Sequence, residues 1–98
     1  MKTYYVYILE CADLSYYVGV TNNIVRRLKE HNDGISTSSY TSTRLPVKLV
    51  YCEQHRYILN AIAREKQIKN WSRIKKIALI TSKSNQTWLI NEILDLKK

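Results

Sequence analysis

Aromatic and β-branched residues crowd the beginning of the chain and predict a β-hairpin. The segment from Tyr4 to Cys11 has the composition of a strand. The polar residues ADLS at 12–15 predict a turn, and Tyr16 to Val20 predict a second strand. Because the turn contains no glycine, the register of the two strands stays open.

The spacing of the apolar positions then changes from that of a strand to that of a helix. Ile24, Val25 and Leu28 form a helical stripe, and Asn22 before them is a suitable N-cap. The helix is expected to run to about Asn32, with Gly34 ending it. The residues that follow, 35–46, predict a polar loop that ends at a proline.

The second half of the chain predicts one more strand and two or three helices. Val47 to Glu53 predicts a buried strand, and residues 57–70 predict a second helix. The segment WSRIKKIALITS predicts a third helix, capped by Ser72. The residues expected to face inward on that helix are Ile74, Ile77, Ala78 and Ile80. A short final helix is expected within 85–98.

The order β-β-α-β-α-α predicts an α+β fold, in which a three-stranded sheet is flanked by helices. The second and third strands are joined through a helix, so we expect them to be parallel and to lie on either side of the first. With 98 residues and no linker-like segment, the chain is expected to form one domain. Its body would be residues 1–84, and residues 85–98 would be a helical tail of the same domain.

Composition excludes several classes of protein. Apolar residues make up 45% of the chain, too many for a disordered tail, and no run approaches the roughly 20 apolar residues that span a bilayer. The N-terminus is a poor signal peptide, because tyrosines interrupt its apolar run and Glu10 ends it. Cys11 and Cys52 lie in apolar, strand-like segments without metal-ligand spacing. We therefore expect buried, reduced thiols in a cytoplasmic protein.

The net charge of +8 is spread unevenly along the chain. Residues 1–53 hold six basic and five acidic residues, so +7 of the charge lies beyond residue 53. A basic domain of this size most often binds a polyanion, nucleic acid first and an anionic membrane surface second. A basic surface that serves only solubility is the alternative.

Glu65 is out of place on the second predicted helix. The apolar stripe of that helix consists of Ile58, Ala61, Ile62 and Ile68. Glu65 falls in the middle of the stripe, and it is the only acid between Gln54 and Lys83. A buried carboxylate needs a partner, because burying an unpaired charge is costly. The partner is either an arginine or a hard cation such as Mg²⁺, which accepts one or two carboxylates and fills its shell with water and phosphate.

The first predicted helix carries a second candidate pair. Arg27 and His31 are neighbours at i and i+4 and border the apolar stripe, whereas Arg26, Lys29 and Glu30 are expected to face solvent. An arginine can hold a phosphate by two parallel hydrogen bonds, and a histidine can move a proton near neutral pH. A surface arginine beside a half-buried histidine is the purely structural interpretation.

The tyrosines allow two interpretations. The chain has eight tyrosines and no phenylalanine, which strand propensity alone can explain. If the hairpin register pairs Tyr7 with Gly19, then Tyr7 and Tyr17 point to the same side of the sheet, and the glycine leaves room for a substrate or a water. A register shifted by one residue would separate the two tyrosines.

Taken in order, these residues resemble the GIY-YIG nuclease superfamily. The resemblance rests on YVY at 5–7, YVG at 17–19, Arg27, His31, Glu65 and a late asparagine. The chain is similar in particular to small single-domain bacterial members of uncharacterised function, through the segments VYILECAD, RRLKEHN, LPVKLVY, REKQIKNWSR and KKIALI. The first glycine of the family motif is replaced here by Tyr5.

The resemblance implies cleavage of a phosphodiester bond that depends on Mg²⁺ or Mn²⁺. Of Tyr7 and Tyr17, one would help to deprotonate the attacking water and the other would position it. Arg27 would stabilise charge on the scissile phosphate, and His31 would lie near the nucleophile or the leaving group. Glu65 would hold the single metal ion.

The resemblance and the charge together imply a nucleic-acid partner, with DNA favoured over RNA, and no membrane partner. The bases expected to bind the nucleic-acid backbone are Arg64, Lys66, Lys69, Arg73, Lys75 and Lys76. The late asparagine of the family maps to Asn85, with Asn91 as the alternative. The protein is expected to be a monomer or a weak homodimer.

Two other functions remain open from the sequence. A catalytically weak or inactive nucleic-acid-binding module would use the tyrosines and bases for stacking and phosphate contacts. A protein-interaction domain would instead bind a partner through the apolar segment TWLINEIL near the end of the chain.

Overall fold

The computed structural model describes residues 2–34, 39–82, 85 and 88, which build the predicted α+β fold. The elements in chain order are β1 (Tyr4–Glu10), β2 (Tyr16–Thr21), α1 (Ile24–Asn32), α2 (Ser39–Ser42), β3 (Lys48–His55), α3 (Ile58–Lys69) and α4 (Arg73–Ile80). Most of the predicted final helix at 85–98 lies outside the described residues, and so does Asn91.

The three strands form one sheet with β1 in the middle. The strand order is β2-β1-β3, and β1 is antiparallel to both neighbours. As a result β2 and β3 are parallel to each other and flank β1, as predicted. Tyr7 is paired with Gly19 on one side and with Cys52 on the other. The register that the sequence left open therefore puts Tyr7 and Tyr17 on the same face.

The turn between β1 and β2 uses a leucine where a glycine is usual. Leu14 has a φ of 68°, in the left-handed region that favours glycine. Hydrogen bonds from Cys11 N–H to Ser15 O (2.8 Å) and from Leu14 N–H to Cys11 O (2.9 Å) close the turn. The Asp13 carboxylate accepts a further bond from Ser15 N–H at 3.0 Å, a common device in such turns.

Alternation of side chains along the strands divides the core between the two faces of the sheet. The buried cluster on the face covered by α1, called the α1 face below, consists of Tyr7, Leu9, Cys11, Ile24, Val47, Leu49 and Cys52. The cluster on the opposite face, called the α3 face, consists of Val6, Ile8, Val18, Tyr51, Ala61, Ile68 and Leu79. The site residues Tyr7 and Tyr17 belong to the α1 face.

The ends of the helices follow their capping residues. The predicted N-cap of α1 is wrong by one residue, because the side-chain oxygen of Asn23, not of Asn22, accepts the hydrogen bond from Arg26 N–H at 3.1 Å. Gly34, with a φ of 74°, follows the end of α1 as predicted. Ser72 caps α4 as predicted, with its hydroxyl 3.3 Å from Lys75 N.

The predicted inward face of α4 is largely wrong. Ile74 is 81% exposed, Ile77 is 41% exposed and Ala78 is exposed, whereas Leu79 is buried and Ile80 half-buried. The true inward face also contains the half-buried Lys76. A lysine can cover apolar surface with its aliphatic stem. Because Lys76 is charged, the spacing of apolar residues in α4 did not indicate that its position faces inward.

The one-turn helix α2 lies where the sequence predicts a polar loop. A single turn is too short to show a helical period, and isolated helices of this length are not stable on their own. Its position therefore depends on the contacts of its side chains, which belong to the candidate site.

Both cysteines are buried free thiols, as predicted. Burial, with a smaller contribution from the charge of Glu53, raises the pKa of the Cys52 thiol to about 12. Burial also raises the pKa of Cys11. Within the described residues, no helix combines the length and the apolar composition needed to cross a membrane.

Candidate active site

A hydrogen-bonded chain of three side chains links β1, α1 and α2. Tyr7, in the middle of β1, is 2% exposed, and its hydroxyl oxygen lies 3.0 Å from Nε2 of His31. His31, near the end of α1, is 1% exposed, and its Nδ1 lies 2.9 Å from the hydroxyl oxygen of Thr41 in α2. These two hydrogen bonds bring the predicted Tyr7 and His31 together and add Thr41, which is fully buried.

Tyr17 completes an aromatic cluster around His31. Its ring centroid lies 5.2 Å from that of His31 in an edge arrangement and 6.4 Å from that of Tyr7. On its outer side Tyr17 contacts Tyr40 of α2 at a centroid distance of 6.2 Å. Tyr16 lies on the α3 face instead, where its ring contacts the guanidinium of Arg73 at 4.6 Å. The adjacent Tyr16 and Tyr17 thus lie on opposite faces of the sheet.

Gly19 is needed to make room for Tyr7 itself. A Cβ atom at position 19 would lie 2.5 Å from both Cζ and Oη of Tyr7, much closer than real contacts allow. The prediction that this glycine leaves room for a substrate or a water is therefore wrong, because the end of the Tyr7 ring fills that space. The glycine instead permits the position from which Tyr7 contacts His31.

The environment keeps Tyr7 protonated and His31 neutral. Burial is the largest cause that raises the pKa of Tyr7 well above its usual value, and the nearby Tyr17 adds to it. Burial is also the largest cause that lowers the pKa of His31, and the positive charge of Arg27 lowers it further. At neutral pH the pair is a phenol bonded to a neutral imidazole.

The charges of Arg27 and Glu65 both act on Tyr7. The charge of Arg27 lowers the pKa of Tyr7, and the charges of Glu30 and Glu65 raise it. Arg27 is partly exposed, and its ion pair with Glu30 is loose, with Nε 3.8 Å from Oε1. Among the described residues, the Arg27 guanidinium therefore has no tight internal partner.

Glu65 is a sheltered carboxylate with one loose ion pair. Its side chain is 14% exposed, and Lys69 Nζ lies 3.6 Å from Oε1. The arginine pair that was the alternative for Glu65 is formed by Glu53 instead, whose two carboxylate oxygens accept from Arg64 Nε at 3.1 and 3.2 Å. Glu65 is thus the less engaged of the two carboxylates.

The donor set fits a metal ion that draws most of its ligands from water and substrate. Among the described residues, no three His, Cys, Asp or Glu side chains come together as a metal cage. Mg²⁺ does not require one, since it commonly binds through one or two carboxylates with water and phosphate oxygens. Glu65 is a carboxylate that would fit such an ion, since it is sheltered and its ion pair with Lys69 is loose.

Asn85 is not brought to this cluster. Its side chain bonds to the outer edge of β3, donating to Val50 O at 3.0 Å and accepting from Cys52 N–H at 3.3 Å. It also donates to Ile80 O at 2.7 Å, at the end of α4. Since Tyr17 lies on β2, at the other edge of the sheet, these bonds give Asn85 a structural task that joins α4 to β3.

The predicted nucleic-acid-binding bases differ in how far the fold uses them. Arg64 bonds to Glu53 and to Gln67, and Arg73 donates to Leu14 O at 2.7 Å while it covers the Tyr16 ring. Lys69 lies in the loose pair with Glu65. The bases of this set that lie outside the ion pairs and hydrogen bonds described here are Lys66, Lys75 and Lys76.

Two groups of functional interest were missed from the sequence. Thr41 and Tyr40 lie in a Ser/Thr-rich segment with no recognisable motif. The polar cluster on the α3 face joins Glu53 to Tyr51, His55 and Arg64, with His55 Nε2 2.5 Å from the carboxylate. In the sequence, this cluster appears only as an acid, a histidine and an arginine on adjacent predicted elements. That combination is too common to indicate a functional site.

Comparison with known proteins finds a family and several relatives of this chain. The GIY-YIG catalytic domain matches residues 3–78, a range that contains every predicted site residue except Asn85. The chain is 49% identical to the UPF0213 protein of Syntrophus aciditrophicus over 80 residues, which cover 82% of this chain and 92% of that protein. It is 50% identical to the UPF0213 protein CPE1444 of Clostridium perfringens, with coverage of 82% and 85%.

Solved structures show the same fold. The solution NMR structure of the UPF0213 protein BH0048 from Bacillus halodurans is similar with a TM-score of 0.55 and 38% identity, covering 87% of this chain and 89% of that chain. The solution NMR structure of the protein EF2693 from E. faecalis gives a TM-score of 0.54 at 31% identity, covering 96% and 90%.

Proposed function

Because the chain belongs to the GIY-YIG catalytic domain family and is related to the UPF0213 proteins, we propose that it is a metal-dependent endonuclease that hydrolyses phosphodiester bonds in DNA. The observation that carries the proposal is the buried hydrogen bond between Tyr7 and His31, with the charges of Arg27 and Glu65 acting on the Tyr7 phenol. A phenol and a neutral imidazole in contact, beside a guanidinium and a carboxylate, provide the groups that phosphodiester hydrolysis needs.

Tyr7 and His31 together accept the proton of the attacking water. A phenol with a raised pKa is not a phenolate at neutral pH, so Tyr7 acts as a base only if it loses its own proton in the same step. His31 Nε2, 3.0 Å away and neutral, is positioned to take that proton. The need for this partner explains why both side chains are buried in one cluster.

Tyr17 and Arg27 orient the reacting groups. Tyr17 lies beside both members of the pair and, as a phenol, can hold the attacking water by a hydrogen bond. Arg27 is partly exposed and loosely paired, so its guanidinium can turn to the nonbridging oxygens of the phosphate, where negative charge grows in the transition state.

Glu65 is the residue that holds a single Mg²⁺ or Mn²⁺. When bound, such an ion supplies positive charge that stabilises the phosphate in the transition state. The chain's own part is to keep this carboxylate sheltered, loosely paired with Lys69 and electrostatically close to Tyr7.

The remaining features of the proposal concern the partner. We infer that Lys66, Lys75 and Lys76 bind the DNA backbone, because these predicted bases are not consumed by the internal bonds that hold Arg64 and Arg73. We further infer a cytoplasmic protein that acts as a monomer or a weak homodimer.

The experiment is the nicking of supercoiled plasmid in Mg²⁺ by pairs of matched variants. Tyr7→Phe is compared with Tyr4→Phe on the α3 face, and Arg27→Ala with its exposed neighbour Arg26→Ala. Tyr7→Phe and Arg27→Ala should each slow nicking about 100-fold or more, since a positioned proton-transfer group and a transition-state donor each contribute on that order. Tyr4→Phe and Arg26→Ala should nick at the wild-type rate.

The outcomes separate the two leading functions. Nicking that persists in folded Tyr7→Phe and Arg27→Ala proteins contradicts the proposed site. Salt-sensitive DNA binding without cleavage by the wild-type protein, in both Mg²⁺ and Mn²⁺ and on several substrates, favours the alternative of a nucleic-acid-binding module.

A further inference from the structure

We propose that Thr41 is a positioning residue that fixes the tautomer of His31, so that Nε2 is free to accept the Tyr7 proton. The inference rests on the proposed function for its catalytic meaning, but the tautomer itself is a property of the folded protein. The buried hydroxyl of Thr41 lies 2.9 Å from Nδ1 of His31, and Tyr7 contacts the other ring nitrogen, Nε2.

The direction of the two hydrogen bonds follows from the buried phenol. Within the described part of the chain, His31 Nε2 is the one hydrogen-bond partner that the structure gives the Tyr7 hydroxyl. Tyr7 is 2% exposed and holds its proton, and a buried O–H without an acceptor costs about 1–3 kcal/mol. The Tyr7 O–H therefore donates to Nε2, and the single ring proton of the neutral imidazole lies on Nδ1.

Thr41 is the acceptor that this tautomer requires. Nδ1–H is as buried as the rest of the ring and donates to the Thr41 hydroxyl oxygen. If the Thr41 hydroxyl donated to Nδ1 instead, the ring proton would lie on Nε2 and would face the Tyr7 oxygen. Nε2 could then accept nothing from Tyr7, and the proton transfer would be blocked.

The fold anchors α2 so that Thr41 keeps this position. Arg44, just after α2, donates from Nη1 to Tyr40 O at 2.7 Å and covers the Tyr40 ring at 4.0 Å. Its Nε donates to Asp13 Oδ2 at 2.9 Å, and its backbone O accepts from Ala12 N–H at 2.9 Å. Both Asp13 and Ala12 belong to the turn between β1 and β2, so α2 is tied to the hairpin that carries Tyr7 and Tyr17.

With this tautomer the proposed step is balanced. The attacking water gives a proton to the Tyr7 oxygen as the Tyr7 proton moves to Nε2, and the Nδ1–H bond to Thr41 is retained on the resulting imidazolium. The water oxygen forms its bond to phosphorus, and the bond from phosphorus to the leaving oxygen breaks with its electron pair. The imidazolium returns a proton, which reaches the leaving oxygen by way of solvent.

The first test is the NMR tautomer of His31 in protein labelled with ¹⁵N at histidine, which needs neither DNA nor metal. The chain has only two histidines, so a His55→Gln variant assigns the signals. In wild type and Thr41→Ser, the proton should lie on Nδ1. In Thr41→Val, which keeps the shape but removes the hydroxyl, either tautomer leaves one buried donor without an acceptor, so a measurable fraction of His31 should carry its proton on Nε2. A wild-type proton on Nε2, or an unchanged tautomer in Thr41→Val, overturns the proposal.

The second test is activity. Thr41→Val should lower kcat for plasmid nicking by about 10- to 100-fold with little change in KM, because proton transfer is impaired while binding is not. Thr41→Ser should restore most of the rate, and Thr3→Val, the same change at an exposed position before β1, should leave it unaltered. A Thr41→Val enzyme with wild-type kcat contradicts the positioning role.

Failure of this inference is distinguishable from failure of the proposed function. If the wild-type protein does not cleave DNA, the proposed function fails, and the NMR measurement still decides whether Thr41 sets the tautomer. If the protein cleaves DNA but His31 carries its proton on Nε2, the nuclease stands and the role of Thr41 is rejected.

Discussion

Burial determines what the two central residues can do at the residue scale. Tyr7 and His31 are each almost inaccessible, and burial is the main cause that raises the pKa of one and lowers that of the other. Neither side chain is an effective base alone. The Tyr7 phenol keeps its proton, and the buried His31 imidazole has its Nε2 bonded to the Tyr7 hydroxyl. Their hydrogen bond makes them one unit, and a small change beside it should have a large effect.

Gly19→Ala should disable that unit. The new methyl group would lie 2.5 Å from the end of the Tyr7 ring, so the ring must move away from its position against His31. Crowding in a packed core costs about 1–3 kcal/mol, so the free energy of unfolding in urea should fall by this amount. Plasmid nicking should be lost in protein that still folds.

Gly34→Ala is the control for that substitution. It strains a backbone with a φ of 74°, so it should cost about 1–2 kcal/mol. The nearest described side chain to the new methyl is Leu45, at 3.8 Å, so nicking should be retained. A Gly19→Ala protein with wild-type stability and activity would show that Tyr7 does not need its present position.

The low pKa of His31 predicts how stability depends on pH. Unfolding restores its ordinary pKa of about 6.5, so the unfolded chain binds more protons than the folded one below that pH. The contribution of His31 to stability is full above about pH 6.5 and is lost as the pH falls toward its folded pKa. His31→Gln should remove this part of the acid destabilisation.

The measurement is urea unfolding of wild type and His31→Gln between about pH 5 and pH 8. His55 and the carboxylates are present in both proteins, so the difference between the two curves reports His31. The difference should shrink as the pH is lowered. Parallel curves over this range would mean that His31 titrates alike in the folded and unfolded chain.

Single residues were predictable from sequence only where chemistry and pattern coincide. Glu65 stood out because a carboxylate interrupts an apolar stripe, and its sheltered position agrees. Thr41 could not be found, because a threonine among serines and threonines carries no signal and its role comes from a contact with His31, ten residues earlier. Gly19 was identified, but the structure was needed to show that Tyr7 occupies the space it leaves.

At the scale of elements, long periodic segments were predictable and short ones were not. The three strands and α3 follow clear periods, and their bounds agree to within about two residues. The one-turn α2 has no period, and it depends on Arg44, Asp13 and His31 from other elements. For α4, the sequence allows an inward face through Ile74, Ile77 and Ala78 or one through Leu79 and Ile80. Only the packing of the helix on the sheet decides between the two faces.

The orientation of α4 gives a matched pair of substitutions. Leu79→Ala should lower the free energy of unfolding by about 2–4 kcal/mol, because it removes buried methyl groups and leaves a cavity. Ile74→Ala, four-fifths exposed, should change it by less than about 0.5 kcal/mol. Urea unfolding of both proteins measures this, and a larger cost for Ile74→Ala would mean that the predicted inward face is the true one.

At the scale of the whole molecule, the two faces of the sheet have separate tasks. The α1 face carries the buried Tyr7–His31 unit, and the α3 face carries the polar cluster of Glu53 with the helices that hold most of the excess positive charge. Glu65 lies on one of these helices and yet acts electrostatically on Tyr7. In the proposed complex, bases of α3 and α4 would contact the DNA backbone while one phosphate would lie at the cluster.

The salt dependence of DNA binding tests this arrangement. The slope of log K against log salt is negative, and its magnitude falls by about one for each phosphate contact that is lost. Lys66→Ala should therefore make the slope less steep by about one. Lys48→Ala, an exposed lysine at the start of β3 and outside the basic segment, should leave it unchanged. Equal slopes for wild type and Lys66→Ala would exclude Lys66 from the interface.

The metal requirement of plasmid nicking decides whether this cluster is a metal-dependent nuclease site. The rate of plasmid nicking is titrated with Mg²⁺ for wild type, Glu65→Ala and Glu10→Ala, the last a half-buried carboxylate at the end of β1. Wild type and Glu10→Ala should nick only when metal is added and should saturate alike, whereas folded Glu65→Ala should not nick at any Mg²⁺ concentration. Nicking by Glu65→Ala at the wild-type rate, or by wild type in the presence of a chelator, would mean that this cluster is not a metal-dependent nuclease site.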